Sequence, residues 1–110
     1  MKHIFLSLGL LLAFTSNAFA GNGYCDSRPS NRERRNCYQN AVESNVSMIK
    51  QNYQYLMSSS RLTQQQKQQL QQDQNAWIDK VGRYCGDNLS CLYESSAERS
   101  MSLHAIAARN

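Results

Sequence analysis

Four cysteines, Cys25, Cys37, Cys85 and Cys91, are the residues of this 110-residue chain whose type and spacing bear most directly on chemistry. Such residues can ligate a metal, carry redox chemistry or close disulfides. Cys-x11-Cys and Cys-x5-Cys both miss the tight knuckle spacing of a structural zinc site. An even number of cysteines in a short chain behind an export-type leader reads instead as two disulfides. Nothing else supplies a reactive constellation. His104 sits between Leu103 and Ala105 with no nucleophile pattern around it, so a surface histidine is a better reading than a general base. The carboxylates (Asp26, Glu33, Glu43, Asp73, Asp79, Asp87, Glu94 and Glu98) are scattered rather than paired, and there is no Gly-rich phosphate loop. The sequence therefore predicts a protein that is not an enzyme and takes no metal and no cofactor.

The cysteines presuppose an oxidising compartment, and the N-terminus carries the matching address. Lys2 and His3 precede an apolar run from Ile4 to Phe14, and Asn17-Ala18-Phe19-Ala20 ends in a small-x-small pattern suited to signal peptidase. Residues 1–20 are thus expected to be a signal peptide, leaving 21–110 as one small domain in the periplasm or outside a bacterial cell. The apolar run is too short to span a bilayer, and Cys25 lacks the preceding lipobox of a lipoprotein, so no stable membrane insertion is expected after cleavage. Asn45 and Asn88 each open an Asn-x-Ser triplet, which means little behind a bacterial-type leader.

Loss of Lys2 lowers the formal charge from +4 to +3, a mild balance. Arg28, Arg32, Arg34 and Arg35 nevertheless all fall between Cys25 and Cys37. No aromatic residues interleave with them, which favours a solvated arginine-rich loop over a lipid site and predicts no nucleic-acid partner.

The elements that must position these residues read as helices. From Gly21 to Asn36 the chain is rich in Gly, Asn, Ser and Arg and holds its only proline, Pro29, so a loop is expected. Ser30 and Glu33 could cap a short helical turn over Asn31 to Arg35. Tyr38, Ala41, Val42, Met48, Ile49, Tyr53, Leu56 and Met57 then recur at helical spacing, predicting a first helix over about 37–57. Ser58-Ser59-Ser60 breaks it. Thr63 and Gln66 offer a capping box for a second helix, whose start holds eight glutamines between Gln64 and Gln74. Glutamine is a good helix former, and Leu70, Gln74, Trp77, Ile78, Val81 and Tyr84 keep an apolar face, so the tract is a solvated helix face. Gly86, Asp87 and Asn88 form a turn, with Asn88 as N-cap of a third helix over about 89–107 bearing Leu89, Leu92, Tyr93, Leu103 and Ile106.

Three amphipathic helices with short connections predict an all-α fold: a small disulfide-stapled three-helix bundle, or a helical hairpin plus third helix. That topology gathers all four cysteines at one end. Local pairing, Cys25 with Cys37 and Cys85 with Cys91, is the expected choice among three connectivities because short loops close more readily. Trp77 is expected at the centre of the core against Tyr53 and Leu92. Gln74, a turn earlier, needs a hydrogen-bond partner there, and Arg99, near the Leu92/Leu103 stripe, is expected to make a supporting polar contact.

Glu33-x-x-x-Cys37, a helix carrying Tyr53, Gln74-x-x-Trp77, and Cys85-Gly86-Asp87-x-x-x-Cys91-Leu92 followed by Arg99 and Leu103 together resemble the LprI-like lysozyme-inhibitor domain family, over about Cys25 to Leu103. The resemblance implies an exported, mostly helical, disulfide-bonded domain, and inhibition of lysozyme in some members. Three positions depart from the family pattern: Ser96 replaces an aromatic, Val46 replaces an acidic residue, and the arginine after the tryptophan is Lys80 or is displaced to Arg83. The function expected on this basis is protein binding, with lysozyme or another envelope protein as partner. The alternative is a periplasmic structural or envelope-stress protein without lysozyme activity. Asp87 and Asn88, in the disulfide-bracketed turn, are the candidate partner contacts, although an ordinary helix connector has the same composition.

Overall fold

The structure is a computed structural model, and it describes residues 24–109. The expected signal peptide, residues 1–20, lies outside them. The chain divides into two compact units, Met1–Cys37 and Tyr38–Asn110. Among the described residues the secondary structure is entirely helical: α1 (Asn31–Met57), α2 (Gln64–Cys85) and α3 (Leu89–Arg109), with a helical stretch at 24–26.

In the first unit, helix α1 begins six residues earlier than the periodicity predicts, so the expected loop is shorter than Gly21 to Asn36. The reason is local. Ser30 Oγ accepts the Glu33 N–H and also donates to the Glu33 carboxylate, both at 3.1 Å, and Arg34 N–H reaches the Ser30 carbonyl at 2.9 Å. Ser30 is therefore a working N-cap, and the arginines that follow are good helix formers. The Cys25–Cys37 disulfide, with Cα atoms 5.5 Å apart, ties the second turn of α1 to the segment before the helix.

In the second unit, α2 starts with the expected capping box: Thr63 Oγ1 accepts the Gln66 N–H at 3.1 Å and Gln66 Oε1 accepts the Thr63 N–H at 2.8 Å. Helix α3 starts at Asn88, whose Oδ1 accepts the Cys91 N–H at 2.9 Å. Helix directions follow from the pairs that meet. Tyr38 with Tyr93 and Asn45 with Ser96 ascend together, so α1 and α3 run in the same sense. Gln74 with Arg99 and Cys85 with Ser95 run in opposite order, so α2 is antiparallel to α3. This is the up-down-up bundle.

The core is built by one buried layer from each helix: Ile49 and Leu56 from α1, Leu70 from α2 and Leu103 from α3. Leu56 and Leu103 are fully buried. Trp77 is not the centre. It is half-buried and packs against the rim of this cluster with Tyr53, Met57, Leu62 and Ile106, while Leu92 is half-buried outside it. Leucines fit the narrow seam where three helices meet; an indole on a helix flank covers that seam while leaving an edge in solvent.

Candidate protein-binding surface

The second disulfide builds the best-defined surface feature. Cys85 and Cys91 are bonded with Cα atoms 5.4 Å apart, and between them the Asn88 N–H reaches the Cys85 carbonyl at 2.9 Å. Gly86 lies at φ 53°, ψ −124°, the geometry of the first central residue of a type II′ turn. A left-sided φ of this kind suits glycine, which is the physical reason for Gly86 here. Asp87 and Asn88 are both exposed on this turn. They differ in freedom, however, because Asn88 spends its side-chain oxygen on the cap of α3, whereas Asp87 faces solvent.

The last two turns of α2 extend that surface. Ile78 and Tyr84, read from periodicity as part of the buried face, are exposed at 55% and 83%. The buried stripe of α2 is narrower than its apolar series: only Leu70, Gln74 and Cys85 are buried on it. Trp77, Lys80, Val81 and Tyr84 from α2, with Ser95 and Glu98 from α3, line a shallow groove of about 110 Å³. Lys80 thus stands in the groove beside Trp77, while Arg83 is paired with Asp79 one turn away. From Tyr84 to Glu98 the chain carries three carboxylates, Asp87, Glu94 and Glu98, and no lysine, arginine or histidine. The exposed Tyr84 is thus followed by an acidic stretch in the turn and the start of α3, while the groove lining itself balances Lys80 against Glu98. A second, wide recess of about 410 Å³ is lined by Thr63, Gln65, Gln66 and Gln69 on the glutamine face of α2.

Beneath the groove, polar contacts fix the helices. Arg99 Nε donates to Gln74 Oε1 at 2.8 Å, joining two residues that the sequence marked separately. Burial pulls the Arg99 guanidinium below its ordinary value, and the Asp73 carboxylate acts in the opposite direction. Arg99 Nη2 and Asn52 Nδ2 are buried without a protein hydrogen-bond partner. Ser96 is 2% exposed; its hydroxyl donates to the Tyr93 carbonyl at 3.1 Å and accepts from Asn45 Nδ2 at 3.2 Å. Nearby, Tyr38 and Tyr93 form an edge-to-face pair with centroids 5.9 Å apart. Neither the Asn45–Ser96 bond nor this ring pair was foreseen; the only signal was that Asn45 shares the inner side of α1 with Tyr38 and Ile49. Both Asn-x-Ser asparagines are thus occupied, one by Ser96 and one by a helix cap.

Among the described residues there is no cluster of three or more potential metal ligands, and no helix is long and apolar enough to cross a membrane. Fold and surface define a small disulfide-stapled all-α domain whose most developed surface is an exposed groove beside a pinned turn. Comparison with protein families narrows this: residues 25–106 match the family described as lysozyme inhibitor LprI, and the chain belongs to that family. No curated protein and no solved structure matches it.

Proposed function

We propose that this is an exported bacterial protein of the periplasm or the extracellular space that binds lysozyme and blocks it without catalysing a reaction itself. The observation that carries this reading is the family match across residues 25–106, which takes in both disulfides, the whole of α1 and α2, and α3 except its last three residues. The two disulfides support an extracytoplasmic location. Lysozymes are generally basic, and a domain whose expected mature charge is +3 gains no steering from net charge, so attraction must be local. The Tyr84 to Glu98 stretch supplies it: three carboxylates, no basic residue and an exposed tyrosine held on a rigid base. The constrained turn presents Asp87 with little ordering to lose on binding.

The test is a cell-wall lysis assay with chicken-type and goose-type lysozymes and purified, oxidised protein. Inhibition of at least one type at micromolar inhibitor is expected. No inhibition of either would retire the lysozyme reading and leave a structural or stress role in the envelope.

A further inference from the structure

We propose that the arginine segment closed by the Cys25–Cys37 disulfide is a docking surface for anionic phospholipid headgroups, giving the protein a peripheral hold on a membrane. Between Cys25 and Cys37 four arginines, Arg28, Arg32, Arg34 and Arg35, stand against two carboxylates, Asp26 and Glu33. Three of these arginines stand in the opening turns of α1, where the helix macrodipole is positive and favours carboxylates over cations. Arg32 and Arg35 are exposed and three residues apart on one helix face, so they repel each other. No Asp or Glu stands three or four residues from either, and Glu33 is engaged by the Ser30 cap. A like-charged pair at the unfavourable end of a helix works against folding, and such local contradictions concentrate where a surface is kept for binding.

The other two arginines have a different task. Arg28 lies over the Tyr24 ring, its guanidinium carbon 4.2 Å from the centroid, and also hydrogen-bonds the Tyr24 hydroxyl. Arg34 Nη1 donates to the Arg28 carbonyl at 2.6 Å, and Nη2 donates to Asn31 Oδ1. Together with the disulfide, these contacts hold the segment in shape while Arg32 and Arg35 are presented to solvent. The aromatic that the Cys25–Cys37 interval lacks is supplied from just outside it, by Tyr24, which is 60% exposed. An amphipathic ring beside forked cations is the composition of a headgroup-level contact, since tyrosine seats at membrane interfaces and guanidinium pairs with phosphate in a bidentate manner. Arg32 and Arg35 lie side by side on a helix turn, an arrangement suited to a plane of many phosphates rather than to one soluble ion.

The experiment uses protein exported from the full-length gene and purified with its disulfides intact. Sedimentation with phosphatidylglycerol/phosphatidylcholine vesicles is compared with phosphatidylcholine alone, for wild type, Arg32→Gln/Arg35→Gln and the charge-matched control Lys50→Gln/Arg109→Gln. Binding to the anionic vesicles alone is expected, falling about thirty-fold in the arginine variant from the loss of two cations near an anionic surface. The control should fall less than about threefold, and 0.5 M salt should release the wild type. Cooperative melting of both variants, at or above the wild-type temperature for the arginine variant, shows that they fold. Absence of wild-type binding, or equal loss in both variants, would overturn the proposal. Release by micromolar tripolyphosphate would reassign the surface to soluble phosphates and overturn the lipid assignment.

Discussion

Arg99 Nε and Gln74 Oε1 meet at 2.8 Å across the α2–α3 seam, a charged donor on a largely buried amide acceptor. Neither side chain would be tolerable there alone: an unpaired buried amide costs about 1–3 kcal/mol, and an uncompensated buried charge more. Gln74→Leu and Arg99→Met should therefore each destabilise the domain by about 2–3 kcal/mol, whereas the double variant should lose less than the sum of the two. Denaturant melts of the four proteins in this cycle provide the measurement. Strict additivity would show that the two side chains do not depend on each other.

The two glycines at the end of α2 predict opposite signs for one substitution. Gly82 is helical and a Cβ there would meet nothing within 4 Å, so Gly82→Ala should stabilise by about 0.5–1 kcal/mol through helix propensity. Gly86 is equally uncrowded but sits at φ 53°, so Gly86→Ala should cost about 1–2 kcal/mol through backbone strain alone. Thermal melts should separate the pair by roughly 10 °C in a domain of this size. Stabilisation by Gly86→Ala would remove the type II′ turn.

Core placement gives a third test. Leu56→Ala and Leu103→Ala empty fully buried sites and should each cost about 3–4 kcal/mol. Trp77→Ala should cost about 2 kcal/mol, because the half-buried indole keeps part of its surface in solvent. A urea midpoint for Trp77→Ala below those of both leucine variants would restore tryptophan to the centre.

These comparisons also show which parts of the fold were legible beforehand. Caps and turns were readable because they depend on nearby residues: Thr63 with Gln66, Asn88 with Cys91, and Ser30 with Glu33 all lie within three positions. The limits of burial were not. Ile78 and Tyr84 have the hydropathy and the helical spacing of core residues, yet the stripe covered by α1 and α3 is narrower than the apolar face of α2. Sequence periodicity gives a direction around a helix but not the width of the neighbour that covers it. The Gln74–Arg99 pair shows the same limit: each residue was conspicuous, but their meeting depends on the antiparallel register of α2 and α3.

The disulfides should map as two local loops. Non-reducing digestion is expected to yield a Cys25–Cys37 peptide pair and a Cys85–Cys91 pair, with none joining Cys37 to Cys85. By loop-closure entropy, removing the longer loop with Cys25→Ala/Cys37→Ala should cost about 3 kcal/mol and removing the shorter with Cys85→Ala/Cys91→Ala about 2 kcal/mol. The second change should also weaken lysozyme inhibition, since it frees the turn that carries Asp87.

The proposed binding surface can be separated from the fold because the residues assigned to it bury little. Tyr84 is 83% exposed, so Tyr84→Ala should leave the melting temperature within about 2 °C of wild type. If Tyr84 anchors the partner, the same change should weaken inhibition of lysozyme about thirty-fold, the scale of an aromatic hot spot. Asp87→Asn acts on charge alone and should mainly slow association, with an effect that fades as salt is raised. A titrated lysis assay beside surface-plasmon kinetics reads both. Inhibition unchanged by either variant would keep the activity and move its site away from the groove and its turn.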